Sequence, residues 1–148
     1  MKKIILSVAM LATTLCFSQW TTKTIDSQFD GKFKKAYTKT SNNGFLAMEK
    51  GEVQPFFYLR GSYFCDDTAE IDIVFEVNGQ NKKHTIYATK SKDSNVYYFE
   101  ESSWTENFIS DFKNAHICYI RVNQEYCQDD YYVFNMSGST AAYNFIMN

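Results

Sequence analysis

The sequence predicts a mainly β protein. It should be a single antiparallel β-sandwich or strongly bent sheet of about eight strands, with two short α-helices at about 103–115 and 139–147. Three observations predict this. Apolar and polar residues alternate with period two along much of the chain, as in strands with one wet face. Asn-Gly pairs stand where such runs end, and tight hairpins favour the positive φ that these residues tolerate. Strands do not alternate with long helices, which argues against a parallel sheet.

In chain order, strands are expected at 33–41 and 45–50, joined through Asn42-Asn43-Gly44. Pro55 opens a strand at 56–60, a position that tolerates a missing N–H. The clearest strand is EIDIVFEVNG, where Ile71, Ile73, Phe75 and Val77 alternate with Glu70, Asp72, Val74 and Glu76 before the Asn78-Gly79 turn. The return strand, 83–90, sets His84, Ile86 and Ala88 on one face, and 96–100 follows. In SSWTENFISDFKNA, Ser103 and Glu106 have capping-box spacing, each satisfying a free backbone donor at a helix start. Trp104, Phe108 and Phe112 form the i, i+4 apolar stripe of that helix. Strands at 117–123 and 131–136 come next, with His116 on the Cys118 face. Ser137-Gly138-Ser139-Thr140 then leads to Ala141, Ala142, Phe145 and Ile146 at helical spacing. Gly138 is expected to turn the chain, and Ser139 or Ser137 to cap the helix.

The N-terminus sets the compartment. Met1-Lys2-Lys3 precedes an apolar stretch from Ile4 to Phe17, and Cys16 and Ser18 are small residues flanking Phe17. That is the layout of a secretory signal peptide at 1–18, cleaved after Ser18. Leu15 argues against lipidation at Cys16, where a small residue should precede the cysteine. The remaining 19–148 is one domain by length. It carries thirteen basic and seventeen acidic residues, net −4, which argues against nucleic acid and anionic membranes as partners. No further stretch is long and apolar enough to span a bilayer. The chain is thus expected to be exported, periplasmic or secreted, where a disulfide can persist. Cys118 sits in an apolar strand pattern, while Cys65 and Cys127 lie in polar loops. A hairpin through 116–136 would leave Cys118 too far from Cys127 to bridge. The expected pair is Cys65–Cys127, with Cys118 buried and free.

Little in the chain points to catalysis. A nucleophile elbow needs G-x-S-x-G, and here the second glycine is missing after Ser139. Only His84 and His116 could act as base, and nothing in the sequence sets either beside Ser137 or Ser139. Zinc needs clustered Cys and His, which are absent. If Cys65 and Cys127 are bridged, Asp66, Asp67, Asp129 and Asp130 gather at one edge, where calcium could bind or the acids could stay solvated. The expectation is no catalytic residue, no metal and no cofactor. Asn135-Met136-Ser137 matches a glycosylation triplet, but Asn135 lies within an expected strand. Aromatics make up 18% of the chain and often stand adjacent, as in Tyr97-Tyr98 and Tyr131-Tyr132. Adjacent strand residues face opposite ways, so one of each pair should be exposed and suited to a protein or sugar contact.

The order of features resembles the exported small β-sandwich proteins grouped with invasion-associated locus B proteins and the type VI secretion accessory protein VasI. The resemblance is carried by DGKFKKAYTKT, GFLAMEK, EIDIVFEVNG, ENFISDFKNAHICYIRV and YVFNMSGSTAAYNFI, roughly Asp30 to Ile146. Relatives often carry a cysteine after the Leu-Ala strand, where this chain has Glu49-Lys50. The resemblance implies an envelope protein with a sandwich fold and transfers no site residues. The functional expectation is a non-enzymatic protein-binding or accessory module whose partner is another envelope or secreted protein. The alternatives are a small hydrolase using Ser137 or Ser139, and a lipid or sugar carrier.

Overall fold

A computed structural model describes residues 20–28, 31–92 and 95–148. The expected signal peptide, 1–18, lies outside the described residues. The elements are β1 (Thr21–Ser27), β2 (Gly31–Lys39), β3 (Phe45–Glu49), β4 (Phe56–Arg60), β5 (Thr68–Val77), β6 (Gln80–Lys90), β7 (Val96–Phe99), α1 (Phe108–Asn114), β8 (Ile117–Asn123), β9 (Asp130–Asn135) and α2 (Ser139–Met147). The fold is mainly β, as expected. All described strands belong to one antiparallel sheet in the order β1-β2-β3-β4-β7-β6-β5-β8-β9. No helix among the described residues is long and apolar enough to cross a membrane.

The Asn-Gly signal is realised in full at the β5–β6 turn. Asn78 and Gly79 both have positive φ, 51° and 75°, and Val77 pairs with Gln80. The β2–β3 turn likewise holds Asn43 at φ 63°. One strand was not anticipated. β1 is rich in threonine, and none of its side chains is buried, so it offers no apolar face to read. Its partner β2 holds it in register, Thr21 opposite Tyr37 and Ile25 opposite Phe33.

The sheet bends around one core. The side-chain amide of Asn42, in the β2–β3 turn, donates to the Tyr131 carbonyl of β9 at 3.0 Å, so the last strand meets the second and third. Gly44 and Gly61 make room for this, since a Cβ at either would overlap Tyr132. α1 lies in the fold of the bend. Its Phe112 ring stands 4.9 Å from Phe57 of β4 and 6.2 Å from Phe75 of β5, and Phe108 is 5.6 Å from each. Burying these rings supplies most of the hold on a helix too short to be stable alone.

Both expected helix caps are corrected. Ser103 ends a 3₁₀ turn (Glu101–Ser103), and the following Trp104 is extended, so α1 starts only at Phe108 with Asn107 at its N-cap position. The Ser103 hydroxyl donates to the Glu100 carbonyl and accepts from the Tyr87 N–H of β6. Sheet pairing has taken the oxygen that a capping box would need, and Glu106 is exposed. At the second helix, 139–147 is as expected, but Gly138, at φ 89°, is the N-cap and Ser139 is already helical. The Ser139 and Thr140 hydroxyls donate to the Lys113 carbonyl, at 3.1 and 2.6 Å. They satisfy the end of α1 rather than the start of their own helix.

Cys65 and Cys127 form a disulfide, with Cα atoms 6.2 Å apart, tying the β4–β5 loop to the β8–β9 turn. Cys118 is free and buried, and burial pushes its thiol pKa up. His116 precedes β8 and is exposed.

Candidate functional site

The most distinctive surface lies on the outer side of β1–β4. Register brings its members together. Lys23 stands opposite Lys35, Tyr37 opposite Ala47, and Ala47 opposite Tyr58. One step along, Lys39 stands opposite Phe45, and Phe45 opposite Arg60. The small side chain of Ala47 leaves a cleft of about 200 Å³ between the taller rings of Tyr37, Phe45 and Tyr58. Cations rim it and lie over the rings. Lys39 Nζ is 4.9 Å from the Phe45 centroid, Lys35 Nζ 5.0 Å from that of Tyr58, and the Arg60 guanidinium 5.8 Å from Phe45. Such contacts steady long side chains while leaving the charge at the surface.

Glu49 is the acidic neighbour at one end of the cleft. It lies 3.7 Å from Lys35 and accepts a hydrogen bond from the Tyr58 hydroxyl at 2.9 Å. Burial pushes the Tyr58 phenol far above its ordinary pKa, and the Glu49 carboxylate adds to this. Tyr58 therefore stays neutral and serves as a fixed donor and wall.

A second, open groove of about 420 Å³ runs over β5, β8 and β9, with Tyr119, Tyr131 and Val133 exposed beside it. Its Asp72 and Arg121 are already engaged with one another. Asp72 accepts from Arg121, from Asn123 at 3.1 Å and from Thr85 at 2.9 Å. Burial would raise the Asp72 carboxyl, but these hydrogen bonds outweigh it and hold the pKa below its ordinary value.

One constellation went unread in the sequence. His84 is buried, with Nδ1 2.6 Å from the Thr105 hydroxyl and Nε2 2.9 Å from Asp111. A carboxylate only accepts, so Nε2–H donates to Asp111, and Nδ1 shares a hydrogen bond with the Thr105 hydroxyl. The ring is walled by Phe75 and Phe108, 5.5 and 5.4 Å away. The arrangement joins β6, the loop before α1, and α1 itself. It has the hydroxyl–imidazole–carboxylate order of a hydrolase, yet both ring nitrogens also serve as ties between elements.

The sequence-named residues come together only in part. Ser137, Ser139 and His116 line one shallow cleft, but Ser139 is buried and its hydroxyl is engaged with Lys113. The acids beside the disulfide each have protein partners. Asp66 accepts from the Glu125 N–H, Asp67 pairs with Lys90, Asp129 accepts from the Gln124 N–H, and Asp130 from its side-chain amide. Among the described residues no group of three or more His, Cys, Asp or Glu side chains is gathered to hold a metal. Tyr97 and Tyr132 are buried while their neighbours Tyr98 and Tyr131 are exposed, but the Phe56-Phe57-Tyr58 run departs from the expectation, since Phe57 and Tyr58 are both buried.

Lys23, Lys39, Phe45 and Arg60 were missed by sequence reasoning, because they come from four different strands. The available signal was charge asymmetry. Between Trp20 and Arg60 the sequence holds seven Lys and Arg against Asp26, Asp30, Glu49 and Glu52. No protein-family model, curated protein or solved structure matches the chain.

Proposed function

We propose that this is an exported, non-enzymatic binding module that engages another protein through the outer face of its sheet. The observation that carries the reading is the β1–β4 face, where Lys23, Lys35 and Arg60 line a cleft walled by three aromatic rings and Lys39 lies over Phe45 beside it. Aromatic and arginine side chains around a depression are the usual anchors of protein interfaces. Export is supported by the Cys65–Cys127 disulfide, since such bonds persist in oxidising compartments. It is supported too by the leader pattern at 1–18 and by the resemblance to invasion-associated locus B and VasI-like proteins. The test is site-specific photo-crosslinking in the native host. A crosslinker replacing Phe45 should trap one defined envelope or secreted protein, whereas one replacing the distant, exposed Tyr126 should not. Equal capture at both positions, or none at either, would remove the reading.

Hydrolysis is the second reading, and the Thr105–His84–Asp111 array favours it. It moves the nucleophile from Ser137 or Ser139 to Thr105. On the binding reading a fluorophosphonate probe leaves the protein unlabelled. Labelling that disappears in Thr105→Val would establish the hydrolase instead.

A further inference from the structure

We propose that the β1–β4 face receives an extended acidic segment of its protein partner, with two acidic side chains flanking an apolar one at alternate positions. This rests on the protein-binding reading above and names the chemistry of the partner. Lys35 and Lys39 lie four residues apart on β2 and point to the same side, with Tyr37 between them. At about 3.3 Å per residue their stems are separated by roughly 13 Å. Lys23 joins Lys35 at one end, and Arg60 joins Lys39 across Phe45 at the other. The face is therefore cation pair, aromatic cleft, cation pair.

An extended peptide lying along β2 presents its first, third and fifth side chains to one side over the same roughly 13 Å. Acidic residues at the first and fifth positions meet the two cation pairs. An apolar residue at the third enters the cleft over Ala47, whose 200 Å³ suits one mid-sized side chain. The ends are not equivalent. Glu49 already neutralises part of the Lys35 charge, while Lys39 lies over the Tyr37 and Phe45 rings and Arg60 over Phe45. Arg60 can take a carboxylate bidentately, so that end should dominate affinity. Charge complementarity extends to the whole half-sheet. Within residues 19–148, seven cations stand against four carboxylates up to Arg60, while beyond it six cations stand against thirteen carboxylates. The groove over β5, β8 and β9 lacks this character, because its Arg121 is held by Asp72.

The experiment titrates a labelled Gly-Glu-Ser-Leu-Ser-Glu-Gly peptide into the purified protein by fluorescence anisotropy. Saturable binding is expected. It should weaken about tenfold or more when both acids become Gln, when Leu becomes Ser, or in the variant Arg60→Glu. Lys39→Glu should act likewise, while Lys82→Glu, on another strand, should change binding less than twofold; circular dichroism checks that each variant is folded. Raising salt from 0.05 to 0.5 M should weaken binding as exposed charges are screened. Absence of saturable binding overturns the proposal. So does a peptide with its two acids adjacent binding equally well, or an oligouronate binding more tightly, which would make the face a glycan site. If the Phe45 crosslink forms normally in Arg60→Glu and Lys39→Glu, the acidic-segment proposal falls while the protein-binding reading stands.

Discussion

Ser139 donates its hydroxyl to the main-chain oxygen of Lys113, 3.1 Å away, so the first residue of the last helix closes the end of the helix before it. Thr140 donates to the same oxygen. The two helices are thereby joined by a pair of hydroxyls, of which sequence reasoning assigned that of Ser139 to capping α2.

Ser139→Ala should lower stability by about 1–2 kcal/mol, because the lost hydrogen bond is buried. Thr140→Val should cost less, since Thr140 is exposed and water can replace it. Urea denaturation of both single variants and the pair checks this. A double variant no worse than Ser139→Ala alone would show that Thr140 adds nothing to the bond Ser139 makes.

Phe75→Ala and Phe108→Ala should each cost about 3–5 kcal/mol, since both rings are fully buried and meet at 5.6 Å. Sharing one cavity, they should be non-additive in a double-mutant cycle. Thermal unfolding reads the outcome, and a loss below about 1 kcal/mol at either would contradict the core described above.

Replacing Cys65 and Cys127 together by Ser should destabilise the protein by about 2–4 kcal/mol, as the bridge closes a long segment of 62 residues. Thiol titration of unreduced, denatured residues 19–148 should find one free thiol, Cys118. In the folded protein that thiol should resist iodoacetamide, because it is buried and its pKa is raised.

Asp72 sets an acid limit. Its folded carboxyl titrates below the ordinary value of 3.8, despite burial, because Arg121, Asn123 and Thr85 hydrogen-bond the charged form. Its stabilisation is therefore full above the unfolded value and fades as pH falls through the lower folded one. Asp72→Asn should flatten the acid limb of a pH–stability curve while lowering its neutral plateau modestly.

Legibility followed the strength of local signals. β5 and β6 were plain from alternation and Asn78-Gly79, and β4 and β8 emerged with the expected bounds. β1 was invisible because an edge strand with no buried side chain carries no alternation. The Ser103–Glu106 pattern misled because capping spacing is local, while the demand of the Tyr87 N–H comes from a distant strand. The candidate face needed register above all. Lys23, Tyr37, Phe45 and Arg60 span 38 positions and meet only once four strands are aligned.

The cysteine order also shapes how the protein must mature. Cys118 lies 9 positions from Cys127, whereas the native partner Cys65 lies 62 away. In an unfolded chain the shorter loop is favoured by about 1.5–2 kcal/mol of closure entropy. Oxidative refolding should therefore pass through a scrambled Cys118–Cys127 species, resolved only when β8 draws Cys118 into the core. Traces of thiol or a disulfide isomerase should speed recovery several-fold, and Cys118→Ala should refold without that help. A buried residue with no bond in the finished protein is thus the chief hazard of its assembly.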